Sequence, residues 1–209
     1  ILCNIVKEAN IPEIAGSTPT VVSTTPIYVN FGPADAGLES WNNANTQNTG
    51  SRYDMLTDST GTATTVSIEF TVGFTHAATN GSSSSVWNMN DAISKSNFSS
   101  NEADPVLTIS GLNPTASYTF QTFGSRSGDG NRETTYTYVG ENSGSATINA
   151  ASNTSEIATV TGITPTPQGT VVLTISKSAN NTAGFSYINA MRIVASEGTS
   201  QPEVPEGVI

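Results

Sequence analysis

The chain has 209 residues, with 7 Lys and Arg against 17 Asp and Glu, one His, one Cys and a formal net charge of −10. So few scattered cations make no basic face to displace counterions, which excludes a nucleic-acid binder. One Cys and one His exclude a Cys/His zinc centre and an intrachain disulfide framework, and no run of about 18 apolar residues offers a helical membrane span.

What remains is a polar chain of an unusual kind. It holds 27 Ser, 31 Thr and 20 Asn, while only 11% of residues are charged and 35% are hydrophobic. Disordered chains combine low hydrophobicity with high charge; here charge is low and β-branched residues recur with period two, so ordered strands are expected.

In chain order, residues 1–26 read as an N-terminal arm that ends in a Ser/Thr/Pro linker (STPTVVSTTP, 17–26). Cys3 follows Leu2 rather than the small residues of a lipoprotein signal, so it is expected to be a plain small hydrophobe. Residues 27–195 form the expected domain and 196–209 an acidic tail carrying three Glu and no basic residue.

Inside the domain, 65–72 (TVSIEFTV) alternates apolar and polar residues without a break, the mark of a half-buried strand. Segments 27–31, 106–110, 117–123, 134–139, 145–149, 157–161 and 170–176 are further strands. Segment 185–194 (FSYINAMRIV) is apolar on both faces and reads as one central strand. Turn chemistry separates them: Ser110-Gly111, Asn113-Pro114, Asp129-Gly130, Ser143-Gly144, Gln168-Gly169. Helix is limited to one turn near residues 90–94. The expected fold is all-β: an antiparallel β-sandwich or jelly roll of about nine or ten strands.

Residues 107–120 (LTISGLNPTASYTF) combine a strand, a Gly-Leu-x-Pro corner and a second strand entered through Tyr118. This run resembles the tyrosine corner of fibronectin type III domains, in which a ring packs inside while its hydroxyl bonds the corner backbone. A wider succession is YVNFG (28–32), WNN (41–43), SGLNP (110–114), FGSR (123–126), NRETTYTYVG (131–140), NTS (153–155) and GFSYINAMRI (184–193). It resembles β-sandwich modules of secreted bacterial proteins, galactose-binding-like and carbohydrate-binding-module-like, often found beside SGNH esterases or in surface proteins. The resemblance implies a sandwich used outside the cell or on a surface.

Catalysis is not expected. Gly124-Ser125-Arg126-Ser127-Gly128 places Arg where a nucleophile elbow needs Ser, no Gly-Asp-Ser motif occurs, and His76 lies in a polar loop-like run. Glycan binding is the leading expectation: Trp41 with Asn42 and Asn43, and Trp87 with Asn88, Asn90 and Asp91, pair an aromatic face with amides that bond sugar hydroxyls. The alternative for each Trp is a plug at the sandwich end, its N–H bonded to backbone. Arg126 and Arg132 are expected to fork onto carboxylates such as Glu133 or Asp129 and pin their loop. No cofactor is required. A structural Ca²⁺ is a further expectation, with Asp129, Asn131 and Glu133 as alternating oxygen ligands and Asp54 with Asp58 as a second group.

A rival reading rests on the arm. Ile1, Leu2, Ile5, Val6, Ile11 and Ile14 are apolar enough to dock on a neighbouring subunit, as in a virion decoration, fibre or filament protein that uses strand addition. A third reading is an accessory domain of a larger hydrolase.

Overall fold

The computed structural model describes residues 23–196. The arm residues Ile1, Leu2, Ile5, Val6, Ile11 and Ile14, and the tail beyond Ser196, lie outside the described residues.

The described chain folds into strands with one helical turn of each type. In order they are β1 (Ile27–Phe31), β2 (Asn42–Ala44), β3 (Arg52–Tyr53), β4 (Ser67–Val72) and β5 (His76–Ala78), then a 3-10 turn (Val86–Asn88) and α1 (Asp91–Lys95). There follow β6 (Asn97–Ser100), β7 (Val106–Ser110), β8 (Ser117–Phe123), β9 (Glu133–Val139), β10 (Ser143–Asn149), β11 (Ala158–Ile163), β12 (Val171–Lys177), β13 (Ser186–Ile188) and β14 (Ala190–Ser196).

Two sheets make a β-sandwich. One has five strands in the order β11-β8-β14-β1-β2, the other six in the order β10-β9-β12-β7-β4-β3. A third sheet, β13-β6-β5, closes one end. All strand pairs are antiparallel except β1 with β2.

Period-two alternation explains the layers. On β8 the side chains of Tyr118, Phe120 and Thr122 are buried and those between them are partly exposed; β9 buries Thr134, Tyr136 and Tyr138, and β12 buries Val171, Leu173 and Ile175 in the same way. The inward sets of the two sheets meet in one core. Phe120 and Tyr138 stack at 4.5 Å between ring centroids and Phe31 lies 6.2 Å from Phe70. Each fully buried apolar side chain of this size stabilises the fold by roughly 1.5–3 kcal/mol. The hydroxyls that accompany them are satisfied: Tyr138 bonds Thr122, and Tyr136 donates to the Tyr187 carbonyl oxygen at 2.7 Å. Burial pushes both phenol pKa values far above their ordinary range.

The Gly-Leu-x-Pro corner forms as its sequence requires. Gly111 sits at φ +75°, and a Cβ there would lie 1.9 Å from the Thr65 carbonyl oxygen, so no other residue fits without displacing β4's entry. Leu112 is buried, and the Tyr118 hydroxyl accepts the Asn113 N–H at 2.8 Å.

Two local expectations are corrected. Segment 185–194 is two strands rather than one: β13 pairs with β6 in the end sheet, and β14 pairs with β8 and β1 in the five-stranded sheet. The break falls at Asn189, which is fully buried and directs its amide to other segments, donating Nδ2 to the Ser94 carbonyl at 2.8 Å and accepting Ser125 N–H at 2.7 Å. The other addition is a set of short strands, β2, β3, β5, β6 and β13, of two to four residues each. They carry too few residues to show a period.

Candidate functional site

The largest concavity among those described, about 580 Å³, opens where the end sheet meets the loop after β8. His76 and Ala78 of β5, Asn97 and Ser99 of β6 and Tyr187 of β13 form one wall. Arg126, Asp129 and Arg132 come from the loop between β8 and β9, and Phe185 from the approach to β13.

Local hydrogen bonds hold this loop. Arg126 N–H donates to the Ala150 carbonyl and Ser127 N–H to that of Asn80, both at 2.8 Å, and the Asn131 carbonyl accepts the N–H groups of Thr182 and Ala183 at 3.0 Å. The Ser125 side chain bridges to the rest, taking Ser82 N–H at 3.0 Å and donating to the Asn153 carbonyl at 2.7 Å.

The aromatic side of the cleft is a chain of rings. His76 meets Phe185 edge-on at 5.3 Å, and Phe185 lies 6.2 Å from Tyr187. Tyr187 is buried while Phe185 is partly exposed. The Arg132 guanidinium carbon sits 5.8 Å from the Tyr187 ring centroid and its Nη1 donates to the Tyr187 hydroxyl at 2.9 Å, so both contacts fix its plane. Arg126 spends Nη1 on the carbonyls of Ser127 and Asn80. Two buried polar atoms in the lining residues have no partner: Arg132 Nε and Asn97 Oδ1.

No protein-family model, curated protein or solved structure matches the chain.

The residues singled out from sequence for glycan binding stand elsewhere. Trp41 is 5% exposed and stacks on Tyr28 at 5.0 Å with 23° between planes, so the expected open platform at Trp41 is corrected to a buried plug. Trp87 is partly exposed in the 3-10 turn, its ring 6.3 Å from that of Tyr28 and tilted by 42°. It and Asn88 hold φ of +52° and +59°, a left-handed pair that is strained for residues with a Cβ.

Of the amides around the two indoles, those of Asn42, Asn43 and Asn90 are engaged within the fold. Asn42 donates to the carbonyls of Tyr28 and Thr57 and accepts Thr57 N–H at 2.8 Å. Asn43 Oδ1 accepts Ala36 N–H at 2.8 Å. Asn90 caps α1 by accepting Ile93 N–H and donates to the Ala36 carbonyl, while Asp91 pairs with Lys95 at 2.7 Å. Asn88 is exposed.

Of the oxygen ligands expected for Ca²⁺, all but Asp129 are bound internally. Glu133 accepts Ser178 Oγ at 2.7 Å and the Asn131 and Asn180 amides at 3.2 Å each; the Ser178 bond leads the set of interactions that hold its pKa below the ordinary range. Asp129 lies in the cleft wall. Asp54 pairs with Arg52 at 2.7 Å, and Asp58 accepts the N–H groups of Thr60 and Thr62. Among the described residues no group of three or more His, Cys, Asp or Glu converges.

The two arginines depart from expectation as well. Among the described residues the ion pairs are Arg52 with Asp54 and Glu69, and Lys95 with Asp91; neither Arg126 nor Arg132 takes part. Glu133, the expected partner, is already saturated by hydroxyl and amide donors. The sequence signal for the cleft was the arginine pair flanking a Gly-Asp-Gly-Asn loop; Phe185 and Tyr187 were hidden in a run that reads as core.

No helix among the described residues is long and apolar enough to cross a membrane.

Proposed function

We propose that the protein is a non-catalytic, extracellular or surface-displayed binding module that takes a glycan in the cleft formed by His76, Asn97, Arg126, Arg132, Phe185 and Tyr187. The observation that carries this is the coincidence, in one 580 Å³ concavity, of a partly exposed aromatic ring, Phe185, with two guanidinium groups that pair with no carboxylate among the described residues and an amide oxygen, Asn97 Oδ1, that has no donor. Ligand sites are concavities of roughly 300–1,000 Å³ with an apolar face and a few convergent polar groups, and this cleft has those parts. A pyranose offers an apolar C–H face to a ring such as Phe185 and hydroxyls to fork-shaped donors such as Arg126. The cleft wall carries a single carboxylate, Asp129, which favours binding over paired-carboxylate hydrolysis.

A glycan array read with wild type, Phe185→Ala and Trp87→Ala tests the reading. Phe185→Ala is expected to lose about tenfold in affinity, the ~1.4 kcal/mol appropriate to one aromatic contact, while Trp87→Ala keeps its binding. A folded Phe185→Ala with undiminished binding removes the cleft from consideration.

The assembly reading keeps one supporting observation. A smaller groove of about 190 Å³, lined by Ile27, Val66, Tyr118 and Ile193 among others, lies beside Ser23 and Thr25, where the chain leaves the N-terminal arm. Native mass spectrometry tests it: a monomer discards docking of the arm on a neighbour.

A further inference from the structure

We infer that the glycan taken by the cleft is acidic, with the carboxylate of a uronic-acid unit seated on Arg126 and Arg132. This rests on the glycan reading above and narrows it to a substrate class.

Cations are scarce in this chain, four Arg and three Lys, yet two of the arginines line one concavity. Arg52 is neutralised by Asp54 and Glu69, and Arg192 donates to Gln121 at 2.6 Å beside the Tyr28 ring. Arg126 and Arg132 take no carboxylate within 4.0 Å among the described residues. Of the acids near them, Glu133 is turned to Ser178 and Asn180, and Asp129 alone faces the cleft. Two guanidinium charges against one carboxylate leave the cleft locally positive.

The donors left over match a planar anion. Arg132 has spent Nη1 on the Tyr187 hydroxyl and keeps a buried Nε without a partner; Arg126 has spent Nη1 on carbonyls and has no protein acceptor for Nε or Nη2 among the described residues. A guanidinium presents these N–H groups as a rigid fork that fits a carboxylate with two parallel bonds, roughly twice as strong as neutral ones. A neutral sugar hydroxyl would leave most of that capacity idle. Phe185, partly exposed, and Asn97, whose Oδ1 has no donor, line the same concavity for the remainder of the sugar.

The body's net negative charge does not oppose this at close range. Exposed charges beyond a Debye length, about 8 Å at physiological salt, are screened, so the cations inside the cleft dominate the field at the bound carboxylate.

The test is isothermal titration calorimetry with short oligomers of galacturonate, guluronate, mannuronate and glucuronate. Each is paired with its methyl ester, and a neutral galacto-oligosaccharide completes the panel. At least one uronate is expected to bind about 10- to 100-fold tighter than its own methyl ester, with affinity falling as salt rises, and to lose a similar factor in Arg126→Gln. Arg132→Lys, which keeps charge but not the fork, is expected to lose about tenfold. Circular dichroism on each variant separates misfolding from lost contact.

Esters or neutral oligomers that bind as well as uronates, or folded arginine variants with full affinity, overturn the acidic-ligand inference and leave glycan binding standing. Absence of binding to every saccharide in the panel and on the array overturns both.

Discussion

The backbone N–H of Ser125 donates to the side-chain oxygen of Asn189 at 2.7 Å, across 64 residues of sequence. The same Asn189 amide donates to the Ser94 carbonyl, and its backbone meets Phe31 and Phe123 on either side. One buried amide thus joins the end of α1, the chain break between β13 and β14, and the residue next to Arg126.

Asn189→Ala should therefore cost about 2–4 kcal/mol, because it leaves a buried N–H and a buried C=O unpaired at about 1–3 kcal/mol each. For a domain of this size that is a fall of roughly 5–15 °C in Tm. Scanning calorimetry of the variant checks it; a shift below about 2 °C contradicts the account.

Tyr118→Phe should cost about 1 kcal/mol, since only the hydroxyl bond to Asn113 N–H is removed while the ring still fills its place in the core. Gly111→Ala should cost several times as much, because the new Cβ meets the Thr65 carbonyl and φ stays positive. Urea titrations of the two variants give the order; equal losses would contradict the corner geometry.

Acid should weaken the fold through carboxylates that accept hydrogen bonds. Glu133 has its pKa lowered first by Ser178, Asp58 by Thr60, and Asp91 by Lys95. A lowered folded-state pKa means stability is fully present above the unfolded value, about 4, and is lost as pH falls through the folded value. Melting temperature should be flat from neutrality to about pH 5 and decline below about pH 4. Glu133→Gln should melt lower than wild type at pH 7 and show a shallower acid decline; an unchanged slope means the Ser178 cage is not part of it.

Much of the sandwich was legible because its long strands alternate. β4, β8, β9 and β12 each place one apolar set inward, and Tyr118 with its corner could be read from seven consecutive residues. Asn189 was not legible: a polar residue inside FSYINAMRIV looks like one outward position of a strand, and only its distant partners Ser94 and Ser125 make it a break. The cleft was half legible. The pair Arg126 and Arg132 stood out by scarcity, but their freedom depends on Glu133 being taken by Ser178, which lies 45 residues away. Trp41 misled because Tyr28, which stacks on it, belongs to β1, 13 residues earlier in the chain.

The Tyr136 hydroxyl, deep between the sheets, holds the carbonyl of Tyr187, and the Thr134 hydroxyl oxygen takes the Tyr187 N–H at 3.2 Å. The residue that forms the back of the cleft is hung from inward-facing residues of the six-stranded sheet. Binding loops usually open at a lower free energy than the rest of a domain. Here the rear wall shares the lifetime of the core, so its amide should exchange with solvent water only when the whole sandwich opens. A ligand seated against it would then slow exchange throughout both sheets, well beyond the residues it touches.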